Sequence, residues 1–358
     1  MNTREKLLEL LEANRGVYFS GEEIAGRLSV SRAAVWKAVK TLQNAGYAID
    51  AVTNKGYCLS RATDILSVQG IRKYLSASEW KGTDLELCVL ATTASTNAVA
   101  REAAASGMPE GYVVAANEQT AGRGRLGRSF FSPQGTGIYM SLLLRPENCP
   151  SGQAVRLTTM AAVAVCEAIE AVSGERAQIK WVNDIYVRDR KVCGILTEGS
   201  FGLESGLLEY AVLGIGINVY QPKEGFPEGL GGIAGAVFDT GREDAKNRLA
   251  AEFLNRFWSY YHFECGGREA HGAQEAHDGQ ETRYRRDARC GAGAGADYVE
   301  EYRRRSMVIG KRIAVLSAGG AKNAVALGID DECRLLVEYE DGARESLSSG
   351  EISIGICP

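Results

Sequence analysis

The chain opens on a helical stripe. Between residues 4 and 13, Leu7, Leu8, Leu10 and Leu11 recur on one side of a 3.6-residue period, and Asn14 and Gly16 end the run. Ser20 followed three residues later by Glu23 has the form of a capping box, so a second helix starts there, with Ile24 and Leu28 one turn apart. Ser29 and Val30 make a short turn, and Ser31 can cap a third helix from Arg32 to about Asn44, ended by Gly46. Val35, Val39 and Leu42 give that helix its apolar face, which turns Arg32, Trp36, Lys37 and Lys40 elsewhere. The stretches 47–52 and 57–59 then read as a hairpin around Thr53-Asn54-Lys55-Gly56. Two short helices, a tight turn, a basic second helix and a wing predict a winged helix-turn-helix, the geometry that lays a helix in the major groove. Its helix-turn-helix spans Gly21 to Lys40; Arg32 is placed to reach base edges, and Lys37, Lys40 and the wing residue Lys55 to meet phosphates. A three-helix packing module with an ordinarily solvated face is the alternative; the hairpin and the caps favour DNA.

From about residue 85 strands and helices alternate. Residues 112–116 and 138–144 read as strands, 151–172 as a long buried helix, and about 179–187, 191–198 and 210–219 as further strands. Several are short and hairpin-linked, which predicts an α+β fold with a mixed sheet, not a doubly wound parallel one. An amphipathic helix follows from Leu249 to His262. Residues from Cys265 to about Ala296 carry no apolar period and end in Gly-Ala repeats, as expected of a disordered insertion or a long exposed loop; its arginines 283, 285, 286 and 289 read as solvated charges, with contact to nucleic acid as the alternative. A short helix near 297–305 and alternating strands at about 311–316, 324–330, 334–340 and 345–354 complete the chain, with Asp341-Gly342 as a hairpin turn. The expected divisions are 1–63, 64–263, the insertion 264–296, and 297–358.

Composition narrows this picture. The net charge is −4, so the whole molecule is not built to coat nucleic acid, although the first 61 residues carry nine Lys/Arg against six Asp/Glu. The nine cysteines form no CxxC, and several, such as Cys166 and Cys193, sit in apolar runs; reduced buried thiols are expected, not disulfides or a metal site. The charged N-terminus is unlike a signal peptide and no apolar run is long enough to span a bilayer, so the expected location is cytoplasmic, with no membrane partner.

The chemistry concentrates in Gln119-Thr-Ala-Gly-Arg-Gly-Arg-Leu-Gly-Arg128. Gly122, Gly124 and Gly127 spell GxGxxG, yet the following Arg-Ser-Phe-Phe-Ser-Pro-Gln-Gly-Thr-Gly cannot begin the helix a dinucleotide site needs. The GK[ST] ending of a P-loop is missing too. What remains is a mobile cationic loop: glycines let the backbone wrap a ligand, and Arg123, Arg125 and Arg128 supply charge for a carboxylate and a triphosphate. A solvated basic loop, or an extra DNA contact, is the plainer alternative.

Taken with Ser95-Thr96-Asn97, Lys180-Trp-Val-Asn183-Asp184, Lys191-Val-Cys-Gly194 and Gly214-Ile-Gly-Ile-Asn218, in that order, the loop resembles the biotin protein ligases, and with the winged helix the bifunctional ligases that double as biotin-responsive repressors. The resemblance covers nearly the whole chain outside the insertion. It implies a class II synthetase-like ligase domain, a C-terminal SH3-like β-barrel that helps bind ATP and the carrier protein, and two steps: biotin and ATP give biotinyl-AMP, then biotin passes to a lysine of a biotin carboxyl carrier protein. It places Ser95, Thr96 and Asn97 around the biotin ring system with Gln119 nearby, and Gly122, Arg123, Gly124 and Arg125 over biotin and its carboxylate. Arg128 joins Arg125 near the phosphates, Phe130 stacks on adenine, and Asn183 and Asn218 lie on the adenylate side. Asp184 holds the Mg²⁺ of MgATP, Lys191 bridges carboxylate and α-phosphate, and Gly194 allows close approach. Lys191 and Arg125 are the expected catalytic pair. Biotinyl-AMP would act as corepressor, with a homodimer binding operator DNA. The sequence departs from the family at Phe130, where tryptophan is usual, and at Val182, where proline is favoured. A lipoate or octanoate ligase, and a metabolite-sensing regulator without ligase activity, are the rival readings.

The residue types suit that chemistry. A carboxylate attacking phosphorus is already ionised and needs no base, and the three histidines, 262, 271 and 277, all lie beyond the motifs. The need is for cations that let two anions meet. For the second step, where an ammonium must lose a proton, the sequence points to no base.

Overall fold

In the computed structural model the structure describes residues 1–80, 85–146, 149, 154–202, 204–265, 298–317 and 320–354. The expected insertion lies outside the described residues, apart from Glu264 and Cys265.

The N-terminal unit forms helices α1 (Thr3–Ala13), α2 (Gly21–Leu28) and α3 (Arg32–Asn44) and the strands β1 (Ile49–Val52) and β2 (Gly56–Leu59). The caps explain the starts. Asn2 and Glu5 form a reciprocal capping box on α1. On α2, Ser20 accepts the Glu23 N–H at 3.0 Å, but the Glu23 carboxylate pairs with Arg27 at 2.8 Å instead of closing the expected box. Ser31 accepts the Ala34 N–H at 3.2 Å on α3. The expected apolar positions, Leu7, Leu8, Leu11, Ile24, Val35, Val39 and Leu42, form one core. The wing closes against Phe19, and Gly56 there has φ +99° with only 2.0 Å between a built Cβ and the Phe19 carbonyl oxygen, so no larger residue fits.

After the short α4 (Val68–Arg72), the central unit adds β3 (Glu86–Leu90), α5 (Thr96–Ala105), β4 (Tyr112–Ala116), β5 (Gly137–Leu144), α6 (Ala154–Ser173), β6 (Ala177–Lys180), β7 (Asp184–Val187), β8 (Arg190–Phe201), β9 (Leu208–Asn218) and α7 (Ala245–Cys265). Its seven-stranded sheet has the order β3-β4-β5-β9-β8-β7-β6. Only β3 and β4 run parallel, so the sheet is mixed, as expected. Strand alternation divides the core: Val113, Ala115, Leu142 and Leu213 join α6 and α7 on one face, while Val114, Leu143 and Val212 meet Ala100 and Ala104 of α5 on the other. The strand expected over 179–187 is two strands, because residues 181–183 form a turn whose Trp181–Val182 peptide is cis. Trp181 is buried there, its indole N–H donating to the Cys333 carbonyl at 3.1 Å.

The C-terminal unit has α8 (Tyr298–Arg305) and the strands β10 (Arg312–Ser317), β11 (Gly320–Ile329), β12 (Leu335–Tyr339), β13 (Arg344–Leu347) and β14 (Glu351–Ile354), antiparallel in the order β13-β12-β11-β10-β14. One expected strand over 345–354 breaks at Gly350, whose φ is +132°. The break sends β14 back to β10 and carries Gly350 and Glu351 to the catalytic unit. No helix among the described residues is long and apolar enough to cross a membrane, and Cys58, Cys88, Cys166, Cys193 and Cys333 are free thiols.

Candidate active site

A cleft of about 400 Å³ lies between the open face of the central sheet, the 119–130 segment and β14. It gathers nearly all the residues expected of it: Ser95, Thr96, Asn97 and Gln119 at one end, Arg123, Gly124, Arg125, Arg128 and Phe130 along the strap, and Asn183, Asp184, Lys191, Gly194 and Asn218 opposite. Gly122 lies behind this lining. It is buried beneath the strap, where a Cβ would stand 2.4 Å from the Phe130 carbonyl oxygen and 2.6 Å from Ser132 Oγ, so it shapes the strap and does not line the cleft.

One end is polar and internally bonded. Ser95 occupies the N-cap position of α5 without capping it. Gln119 Oε1 accepts the Thr96 backbone N–H at 2.8 Å and the Thr96 hydroxyl at 3.1 Å, and Gln119 Nε2 donates to Ser132 Oγ at 3.1 Å. Asn97 Nδ2 donates to Glu198 at 2.7 Å, and Ser141 Oγ lies 2.6 Å from Asn97 Oδ1 and 2.8 Å from Thr96 Oγ1.

The other end is cationic. Lys191 Nζ stands 2.6 Å from Asp184 Oδ1, and Arg128 2.7 Å from Glu351. Arg125 donates to Asn183 Oδ1 at 3.0 Å and to the Gly350 carbonyl at 3.1 Å, so the strap is fastened to the 181–183 turn of its own unit and to the C-terminal unit. The backbone of Lys191 pairs with Ile233 and Gly235 at 2.8 and 2.9 Å, and Asn218 Nδ2 donates to the Gly235 carbonyl at 3.1 Å, which ties the 226–236 loop to the lysine-bearing strand. Between the ends, glycines keep the floor flat: a Cβ on Gly216 would meet the Phe130 ring at 2.5 Å, and one on Gly194 at 3.3 Å.

Ser141, Glu198, Gly350 and Glu351 were not singled out in the sequence, and Lys180 stood in a motif without a role of its own. Burial pushes the Lys180 ammonium below the usual lysine range; Asp184 opposes that shift and Lys191 adds to it. Ser141 had a legible signal, a lone polar residue in an apolar strand, and it is fully buried. Glu198 and the β14 residues had none, because their role comes from strand register and from a domain contact across the chain. On the N-terminal unit, Arg32, Lys37, Lys40 and Lys55 are exposed as expected, and Trp36 beside them is 57% exposed. Among the described residues no cluster of three or more His, Cys, Asp or Glu can hold a metal.

Residues 89–218 match the biotin/lipoate A/B protein ligase family, 3–58 an HTH domain, and 308–355 the biotin protein ligase C-terminal domain. The bifunctional ligase/repressor BirA of Bacillus spizizenii is 35% identical over 98% of both chains, and that of Bacillus subtilis equally so. The Escherichia coli protein of the same name is 28% identical over 98% of this chain and 96% of its own. Among solved structures, the biotin protein ligase of Aquifex aeolicus in complex with biotin and ATP superposes with a TM-score of 0.55 at 24% identity, over 75% of this chain and 98% of that one, a likeness of fold. Lying within these relatives from end to end, the chain belongs to the family of bifunctional biotin protein ligases and repressors.

Proposed function

We propose that this cleft joins biotin to ATP and then passes biotin to a carrier-protein lysine, and that the winged helix represses transcription in response to the adenylate. One observation supports this most: Arg125, Arg128, Lys180 and Lys191 converge on one end of a cleft whose other end is a neutral hydrogen-bonding pocket. A small acid with a polar head and a carboxylate tail fits it head-first, with its tail among the cations.

In the first step the biotin carboxylate attacks the α-phosphorus, an O–P bond forms, and pyrophosphate leaves. Lys191 is the residue we place between carboxylate and α-phosphate, with Arg125 and Arg128 offsetting the phosphates. Their present partners, Asp184, Asn183 and Glu351, hold them in place beforehand. Asn218 and Phe130 border the adenylate, Phe130 offering a stacking face. Asp184 Oδ1 is buried, with the Lys191 ammonium 2.6 Å away as its counter-ion. That single carboxylate suits Mg²⁺, which is commonly held by one or two carboxylates, phosphates and water; bound, the ion would neutralise phosphate charge. In the second step a lysine amine of the biotin carboxyl carrier protein attacks the acyl carbon and AMP leaves.

The domains we assign are 1–63 for DNA, 64–263 for ligation and 297–358 for the C-terminal unit. Biotinyl-AMP serves as corepressor by ordering the strap and favouring a homodimer on operator DNA. A cytoplasmic setting suits the free thiols of Cys58, Cys166 and Cys193. ATP–pyrophosphate exchange with biotin, lipoate and octanoate side by side tests the ligase reading: exchange with biotin alone is expected, and exchange with lipoate or octanoate in its place refutes it. A gel shift with and without biotinyl-AMP tests the sensor, and equal operator affinity refutes it.

A further inference from the structure

We infer that Arg190, which does not line the cleft, tethers the 222–232 segment beside the nucleotide end and so sets how long the adenylate is retained. The inference rests on the proposed ligase reading and deepens it.

Phe226, Leu230 and Ile233 line the cleft on the same side as Lys191 and Asn218. Leu230 and Ile233 are 38 and 53% exposed, so apolar surface stands there uncovered. The far half of this loop is firmly held. The Lys191 N–H donates to the Ile233 carbonyl at 2.8 Å, the Gly235 N–H to the Lys191 carbonyl at 2.9 Å, and the Val237 N–H to the Asn218 carbonyl at 2.9 Å. Arg188 adds bonds to the Ala236 and Val237 carbonyls and to Asp239. The near half is held differently. Its backbone bonds, from Gly225 to Pro222, from Leu230 to Pro227, and from Ile233 and Ala234 to Leu230, all stay within the loop. Among the described residues, the one hydrogen-bonding or ion-pairing tie from 222–232 to the rest of the unit is Arg190, which donates to the Gly231 carbonyl at 3.1 Å and to the Gly232 carbonyl.

The β7–β8 turn places Arg190 for this. It opens β8 one residue before Lys191, and a Cβ on Gly235 would stand 2.4 Å from Arg190 Cβ, so the arginine stem lies against the loop. One strand end thus offers Lys191 to the reacting atoms and Arg190 to the loop backbone. Biotin alone occupies the polar end and reaches the cations with its carboxylate; only a ligand that carries a base and ribose extends to Phe226, Leu230 and Ile233. Loosening the tether should therefore release the adenylate and spare biotin. Retention matters because biotinyl-AMP waits for a carrier protein that arrives by diffusion, and an opened cover admits water to the mixed anhydride.

Arg190 is thus a positioning residue acting through the loop backbone. Arg190→Met keeps the stem against Gly235 and removes the donors. Without any ligand, a glutamate-specific protease should cut after the exposed Glu224 and Glu228 about fivefold faster in this variant, the worth of one lost hydrogen bond in the open population. The melting temperature should hardly move, because the Arg190 side chain is exposed. Arg188→Ala, which loosens only the far half, should leave that cleavage near the wild-type rate. Biotinyl-AMP should dissociate about fivefold faster from Arg190→Met, while biotin leaves as it does from the wild type. Unchanged cleavage, unchanged release of the adenylate, an equal acceleration of cleavage in Arg188→Ala, or biotin lost as readily as the adenylate each overturns the inference. A wild type that does not bind biotinyl-AMP sinks the ligase reading and with it the role in retention, whereas the cleavage test needs no ligand and judges the tether by itself.

Discussion

Removing one arginine from the junction between the DNA-binding and ligase units should cost more than any surface charge could. Arg15 donates to both oxygens of Glu12 at 2.7 and 2.9 Å, to Asp244 Oδ1 at 2.8 Å and to the Thr63 carbonyl at 2.5 Å. The side chains of Arg15, Glu12 and Asp244 are only 3, 2 and 1% exposed. In Arg15→Met, Asp244 keeps the Tyr74 hydroxyl and Asn247 Nδ2, both at 2.7 Å, and Lys73 at 3.4 Å. Glu12 keeps no partner of comparable strength. The cost is therefore chiefly one stranded buried carboxylate, about 3 kcal/mol and at the lower end of the range for breaking a buried pair. Burial already holds the Glu12 pKa above the usual carboxylate range against the pull of Arg15, and without Arg15 it rises further. A carboxyl raised in the folded state contributes stability that is present below its unfolded pKa and lost as pH rises through the folded one. The variant should thus be most destabilised near neutrality and approach the wild type at about pH 5, and Glu12→Gln added to it should recover more than half of the loss. Urea unfolding followed by circular dichroism at both pH values measures this. A loss under about 1 kcal/mol near neutrality, or one that grows on acidification, would refute the reasoning.

Other outcomes test separate parts of the molecule. Lys191→Ala should lower the rate of pyrophosphate exchange by roughly 10²–10³, the effect of removing one preorganised charge-stabilising donor, while leaving the melting temperature nearly unchanged; a loss of under about tenfold would remove Lys191 from the chemistry. Arg32→Ala should weaken operator binding by roughly 1–3 kcal/mol, the worth of a base contact, with pyrophosphate exchange unaffected, as read by gel shift and exchange assay on one preparation. The Glu170 carboxyl resists its own burial and is held below the ordinary range by Arg305, at 2.7 and 2.9 Å, and by the Ala177 N–H. Its stabilisation is present above its unfolded pKa and is lost as pH falls through the lower folded one. Wild type and Glu170→Gln should therefore converge in stability under acid, below about pH 4, and a constant gap across that range in urea titrations would contradict the assignment.

The amino-acid order alone determined the winged helix, because its signals are local: Ser20 and Ser31 cap helices within three residues of themselves, and Val35, Val39 and Leu42 make a face by spacing alone. Rejection of a dinucleotide loop at Gly122–Gly127 and the choice of a mixed sheet also rested on neighbours in sequence. Most of the cleft could be read for a different reason, since the family's motifs each carry their own charged or small residues. What only the tertiary structure decided are partnerships without local trace. Glu198 meets Asn97 across 101 residues, Arg15 meets Asp244 across 229, and Arg125 meets the Gly350 carbonyl across 225. Residues that distant are brought together by the packing of whole sheets and helices, and no periodicity or cap records which side chain will face which. Gly122 shows the converse: a glycine in the right motif serves the loop's own backbone, because burial beneath the strap is set by how the loop folds over Ser132 and Phe130.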